Sequence, residues 1–189
     1  MPLNKATVIV LDRDGVINED SPDYIKSPEE WHAIPGSLEA IAKLHQAGIA
    51  MVIATNQSGV GRGLFTLDTL WDIHRKMLAE VAAAGGYIIR IFFCLHGPDD
   101  GCDCRKPKPG LLYQAAEHLA CGFDNMIVIG DSKRDLGAAL AVGAKPVLVR
   151  TGKGRVTEQA IADDPKFQGI AIFDDLAGAA NTLLKEMSA

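Results

Sequence analysis

The chain has 189 residues, 48% of them hydrophobic and 23% charged, a balance that fits one globular domain. A formal net charge of −5 argues against a nucleic-acid or anionic-membrane partner. No apolar run approaches the ~18 residues that span a bilayer, and Met1–Thr7 is too short and polar for a secretory leader. The expectation is a cytoplasmic monomer whose cysteines are thiols or metal ligands rather than disulfides.

Val8-Ile9-Val10-Leu11 is short, β-branched and bounded by polar residues, as a buried strand of a parallel sheet should be. Asp12-Arg13-Asp14-Gly15 follows at the strand's C-terminal end, where open α/β sheets bind ligands. Alternate residues of an extended segment share a face, so Asp12 and Asp14 are expected to meet one ligand. Such a pair repels itself unless a cation intervenes, and a hard oxygen site suits Mg²⁺.

An irregular stretch, Asn18 to Pro35, leads to a helix opened by Ser37 and stopped by Gly48. Ile49–Ala54 reads as the second strand, with Thr55-Asn56-Gln57-Ser58-Gly59 opening a loop that runs to Thr66, an expected N-cap. Leu67, Leu70, Trp71, His74, Met77, Leu78 and Val81 then recur at helical spacing and are read as packing residues. Tyr87–Phe93 is the third strand, and Pro109-Gly110 opens a helix to about Ala120. Met126–Ile129 forms the fourth strand and ends in Gly130-Asp131. A helix from Lys133 to Val142, strands at Pro146–Val149 and Ile170–Phe173, and a last helix complete the chain. Strands alternating with helices specify the α/β class, a doubly wound, Rossmann-like parallel sheet in a single domain.

Between the third strand and its helix lies Cys94-Leu95-His96, followed by Cys102-Asp103-Cys104. Three thiols and an imidazole in the pattern Cys-x-His-x5-Cys-x-Cys fit a closed tetrahedral site, hence a structural Zn²⁺. Cys121 lies outside it and is read as a packing residue.

Four sets of polar groups end successive strands: Asp12 with Asp14, Thr55, Arg105-Lys106, and Asp131 with Asp135. Phosphoryl transfer needs this combination, because its transition state is stabilised mainly by positioning and by positive charge. The four sets resemble, in order, the four motifs of the haloacid dehalogenase superfamily. The resemblance implies that Asp12 is the nucleophile and Asp14 the general acid/base. It also implies that the Asp12 carboxylate, the Asp14 backbone carbonyl and Asp131 hold Mg²⁺, with Asp135 supporting the metal side. Thr55, with Asn56, Gln57 and Ser58, and Lys106 would bind the phosphoryl group. The Asp14–Thr55 and Thr55–Lys106 gaps are consumed by core elements, so the fold is expected to lack a cap domain.

Asp-Arg-Asp-Gly, Thr-Asn-Gln-Ser-Gly, the cysteine loop and Cys104-Arg105-Lys106-Pro107 resemble in particular the D-glycero-D-manno-heptose-1,7-bisphosphate 7-phosphatases. That likeness implies a sugar bisphosphate substrate on the route to ADP-heptose and the lipopolysaccharide core. Arg62 and Arg105 are then candidates for the second phosphate, since guanidinium suits bidentate phosphate contacts. Asp20 and Tyr24 are candidates for the sugar. The alternatives are a histidinol-phosphate phosphatase and, from another class, a receiver-type phospho-acceptor domain.

Overall fold

A computed structural model describes residues 7–187 of the chain. Most of Met1–Thr7, read above as no leader, therefore lies outside the described residues. The elements run β1 (Val8–Leu11), α1 (Ser37–Gln46), β2 (Ala50–Asn56), α2 (Ser58–Gly61), α3 (Leu67–Ala83), β3 (Arg90–Cys94) and α4 (Gly110–Leu119). They continue through β4 (Met126–Gly130), α5 (Lys133–Ala141), β5 (Lys145–Val149), α6 (Gly154–Ile161), β6 (Ala171–Phe173) and α7 (Leu176–Met187). The six strands form one sheet in the order β3-β2-β1-β4-β5-β6, and every pairing is parallel.

All four residues of β1 are buried, because the strand is central and has helices on both faces. Its alternation divides the core. Ile9 and Leu11 join Met51, Ile53, Ile127 and Ile129 against Ile41, Leu44, Met77 and Leu183. Val8 and Val10 join Val52, Ala54 and Val128 against Leu111, Leu112, Ala115 and Ala138 on the opposite face. Gly48 ends the turn after α1 at φ +80°, where a side chain would be strained. Thr66 caps α3 by accepting the Thr69 N–H at 3.1 Å.

Several boundaries differ from the sequence reading. The third strand starts at Arg90, not Tyr87, because the ladder to β2 begins with Arg90 opposite Val52, and Tyr87 is exposed. The loop after Thr55 contains α2, and the segment after Val149 contains α6, whose Ile161 packs with Leu136, Leu148 and Phe167. Trp71, Leu67 and Leu78 are 43%, 40% and 36% exposed, so only part of the apolar periodicity of α3 marks core. Pro146 is tolerated in β5 because β6 joins only from Val147 onward. No folded insertion follows β1 or β2 among the described residues, and none of their helices is long and apolar enough to cross a membrane.

Leu44→Ala removes a fully buried side chain between sheet and helices. The expected loss is about 2–5 kcal/mol, read as a fall in Tm of roughly 5–15 °C, with residual activity below the melting range preserved.

Candidate active site

Strand order reverses about β1 and β4, so the chain leaves their C-terminal ends in opposite directions and opens a crevice there. The Asp12 N–H donates to the Ile129 carbonyl at 2.9 Å, which extends the ladder to the lip of that crevice. Gly15 then turns the chain at φ +82°; a Cβ there would lie 2.1 Å from Asp131 Oδ2. The glycine is needed for both conformation and space.

Lys106 is 3% exposed and points from the loop after β3 to the floor of the crevice. Its Nζ lies 3.0 Å from Asp12 Oδ1 and 2.5 Å from Asp135 Oδ1, and donates to the Ala54 carbonyl at 2.6 Å. Asp135 closes the capping box of α5, its Oδ2 accepting from the Ser132 N–H at 3.0 Å and the Ser132 hydroxyl at 2.5 Å. Asp131 accepts the Lys153 N–H at 2.8 Å. Burial, with the negative charge of Asp135, pushes the Asp12 carboxyl up to about 8 despite Lys106. The same two causes raise Asp131 to about 6. Burial would also raise Asp135, but the Lys106 ammonium and the Ser132 donors outweigh it and hold that carboxyl low. Ligand oxygens of Asp12, Asp131 and Asp135 lie within 4.8 Å of one another. Three carboxylates thus cluster where one buried ammonium pairs with only two of them, Asp12 and Asp135, and a divalent cation with oxygen preference fits the uncompensated charge.

The Asp14 carboxylate lies outside that cluster, although it lines the same crevice as Asp12. Its oxygens accept from Arg13 Nε at 3.1 Å and Nη2 at 2.8 and 3.0 Å, from Asn18 Nδ2 at 2.9 Å and from Gln57 Nε2 at 2.9 Å. Burial raises this carboxyl, but the Arg13 guanidinium and the amide donors overcome it and hold it below the usual range. The chain has already begun its turn at Gly15, so the strict alternation of a strand no longer applies.

Asp12, Asp14, Asp20, Tyr24, Thr55, Asn56, Gln57, Ser58, Arg62, Arg105, Lys106, Asp131 and Asp135 all line one cavity of about 360 Å³. Their roles within it differ from the sequence reading in places. The side chain of Asn56 is engaged twice with the Lys106 backbone, donating to its carbonyl and accepting its N–H at 3.1 Å each. It clamps the lysine loop rather than offering its amide to a phosphate. Gln57 Nε2 bridges Asp14 and the Thr55 hydroxyl, 2.9 Å from each. Asp20 pairs with the Lys153 ammonium. Arg105 donates to the His96 carbonyl at 3.0 Å and so ties the cysteine loop to the cavity.

In that loop the ligand atoms of Cys94, His96, Cys102 and Cys104 also lie within 4.8 Å of one another. Their sulfur–sulfur distances are 3.1, 3.5 and 3.7 Å, and His96 Nδ1 lies 3.3 Å from Cys104 Sγ and 3.5 Å from Cys94 Sγ. A tetrahedron with zinc–sulfur bonds of about 2.3 Å has edges of about 3.8 Å, so the four atoms fit a zinc shell with small outward adjustment. Cys121 packs at the edge of the core, as read from the sequence.

Several site residues escaped the sequence reading. Ser132, Arg134 and Lys153 line the cavity, and Arg13, 1% exposed, pairs with Asp14. The signal for Lys153 was present: Thr151-Gly152-Lys153-Gly154 follows a strand ending at the same sheet edge. Thr151 Oγ1 donates to the Gly15 carbonyl at 2.6 Å, locking this loop against the first motif. Arg13 gave no comparable signal, since a charged residue inside a loop motif is ordinarily solvated.

An aspartate after β1, with a threonine near the end of β2, a buried lysine after β3 and paired aspartates after β4, is the arrangement of a phosphohydrolase of the haloacid dehalogenase class. The family model described as "Polynucleotide kinase 3 phosphatase" matches residues 7–139, and that described as "HAD-hyrolase-like" matches residues 103–179. A D-glycero-beta-D-manno-heptose-1,7-bisphosphate 7-phosphatase from Pseudomonas putida is 53% identical, over 94% of this chain and 99% of its own. The crystal structure of D,D-heptose 1,7-bisphosphate phosphatase from B. bronchiseptica, complexed with magnesium and phosphate, superposes with a TM-score of 0.90 at 49% identity, covering 95% of this chain and 99% of that one. The corresponding enzyme from Burkholderia thailandensis gives a TM-score of 0.73 at 43% identity, over 94% and 98% of the two chains. The chain belongs to the D-glycero-beta-D-manno-heptose-1,7-bisphosphate 7-phosphatase family of haloacid dehalogenase-like hydrolases.

Two outcomes follow from this geometry. Gly15→Ala forces a methyl into Asp131, and phosphatase activity is expected to fall far more than Tm; equal activity of mutant and parent would contradict the close approach. Removing zinc by chelation, or weakening its shell with Cys104→Ser, is expected to lower Tm and also kcat/KM, because the loop leads directly into Lys106. A drop in Tm with unchanged kcat/KM below the melting range would separate the loop from the site.

Proposed function

We propose that this enzyme removes the C7 phosphate of D-glycero-β-D-manno-heptose 1,7-bisphosphate through a phosphoryl group carried on Asp12. The observation that carries the reading is the Lys106 ammonium, 3.0 Å from the Asp12 carboxylate at the end of a cavity with a cationic rim. An Asp12 oxygen attacks phosphorus and the bond from phosphorus to the C7 oxygen breaks. The departing oxygen takes a proton from Asp14, which the arriving dianionic phosphate makes easier to protonate than in the empty site. Water then attacks the aspartyl phosphate, giving its proton to Asp14 and releasing inorganic phosphate with Asp12 restored.

Lys106 and the Thr55 hydroxyl hold the transferring group. Asp12, Asp131 and the Asp14 carbonyl would hold magnesium, with Asp135 behind them. Magnesium, when bound, supplies positive charge that keeps Asp12 ionised and offsets the charge of the phosphoryl oxygens. Arg62, Arg105 and Arg134 reach the rim and suit the second phosphate, with Asp20 and Tyr24 beside the sugar path. A rim of this charge disfavours a cationic amino alcohol such as histidinol phosphate. Zinc in the Cys94–Cys104 loop is structural, because four protein ligands leave no open position. The same reading makes the protein a single-domain, cytoplasmic monomer without a nucleic-acid partner; its supports are the net charge of −5 and thiols suited to a reducing compartment.

The discriminating measurement is kcat/KM across both heptose bisphosphate anomers, fructose 1,6-bisphosphate and histidinol phosphate, with the β-heptose expected highest. Asp12→Asn is expected to abolish phosphate release while zinc content and fold survive; retained turnover would refute the nucleophile. Asp14→Asn is expected to reduce kcat/KM for the sugar bisphosphate by about 100-fold or more. It should reduce kcat/KM for p-nitrophenyl phosphate far less, since p-nitrophenolate departs without a proton.

A further inference from the structure

Arg13 uses its guanidinium in two directions. Nε and Nη2 face Asp14, whereas Nη1 lies 3.4 Å from Nε2 of His74, a residue of α3 that is 1% exposed. Guanidinium is only a donor, so His74 Nε2 must accept, and the ring proton must sit on Nδ1. The imidazole is neutral as this requires: burial, then the adjacent Arg13 charge, pushes it down to about 3. Nδ1 is buried and finds no hydrogen-bond partner among the described residues.

That orphan is informative. His74 packs edge-on to Trp71 and Phe93, with centroids 5.9 and 5.7 Å away. Phenylalanine would fill this place without burying an unpaired N–H. What histidine adds is a lone pair directed at Arg13. Without that acceptor, one edge of a buried guanidinium is left unmatched, and the fork is free to turn toward another partner. Asp14 would turn with it, because two donor atoms of the same planar group hold its carboxylate.

We infer that His74 is a positioning residue for the reaction, holding Arg13 so that Asp14 stands where the leaving oxygen requires its proton. The inference rests on the acid/base reading of Asp14 given above. His74 touches neither substrate nor reacting atoms, and its effect passes through the side chains of Arg13 and Asp14. Proton transfer to a sugar alkoxide is sensitive to donor placement, whereas departure of p-nitrophenolate is not.

The test is the leaving-group dependence of kcat/KM in His74→Phe and His74→Gln, with Asp14→Asn as reference. In His74→Phe, kcat/KM for the heptose bisphosphate should fall by about tenfold or more, a part of what a general acid contributes. The loss should appear in kcat, with KM and the kcat/KM for p-nitrophenyl phosphate within about threefold of the parent. His74→Gln, which returns an acceptor near the Nε2 position, should recover most of the sugar phosphate rate. Equal losses on both substrates, no loss on either, or no recovery with glutamine would overturn the assignment. If His74→Phe does not fold, His74→Leu serves, since it too removes the acceptor while staying apolar; it should show the same selective loss, and a uniform loss overturns the inference. If Asp14→Asn itself lacks leaving-group selectivity, the acid/base reading fails. If Asp14→Asn is selective and His74→Phe is not, only the role of His74 fails.

Discussion

Repulsion among four carboxylates governs this site. Asp12, Asp14, Asp131 and Asp135 stand at the ends of two adjacent strands in largely buried surroundings, where charge is expensive. The fold answers by giving them different company. Asp135 has Lys106 and the capping donors of α5, and Asp14 has a guanidinium and two amides. Asp131 has a backbone N–H, and Asp12 shares its lysine with Asp135. The result is a gradient of proton affinity within one crevice, from the lowered Asp14 and Asp135 to the raised Asp12 and Asp131.

Much of the surrounding backbone exists to permit that distribution. Gly15 and Gly152 both flank Asp131 so closely that a Cβ on either would lie 2.1 or 2.2 Å from Oδ2. Gly130 would meet Asp135 in the same way, at 2.2 Å. Asn56 holds the lysine loop from its backbone, so the ammonium does not have to find its place by its own flexible stem. The cysteine loop does similar work from outside through Arg105 and His96. Preorganisation of this kind is what phosphoryl transfer uses, since little of its barrier is lowered by covalent participation alone.

The central strands, the sheet class and the residues at the strand ends that line the cavity were legible in the sequence, and for one reason. Parallel strands are continuous apolar runs, and their C-terminal ends mark the ligand edge whatever the chemistry. Asp12, Thr55, Lys106 and Asp131 could therefore be placed together before any contact was known. The Cys/His cluster was legible because its donor atoms lie close together along the chain. Contacts between distant side chains were not. The Asn56 clamp, the Asp20–Lys153 pair and the buried Arg13 depend on rotamers and on loops meeting across the crevice, which no spacing encodes. The start of β3 was misplaced because Tyr87 and Ile88 have strand composition but lie before the ladder begins.

The separate surroundings of Asp14 bear most on mechanism. Two aspartates one residue apart suggest a shared cation, yet Arg13, the residue between them, gives its guanidinium to Asp14 and only its backbone N–H, at 2.7 Å, to Asp12. In the proposed reaction the nucleophile must be anionic beside a phosphate and therefore needs positive charge close to its oxygens. An acid/base group needs a fixed orientation and a proton affinity that responds to what enters the cavity. A shared cation would suppress that response by stabilising both carboxylates at once. Placing Asp14 in a hydrogen-bonded fork, outside the cluster of Asp12, Asp131 and Asp135, lets one short turn carry two carboxylates with different proton chemistry.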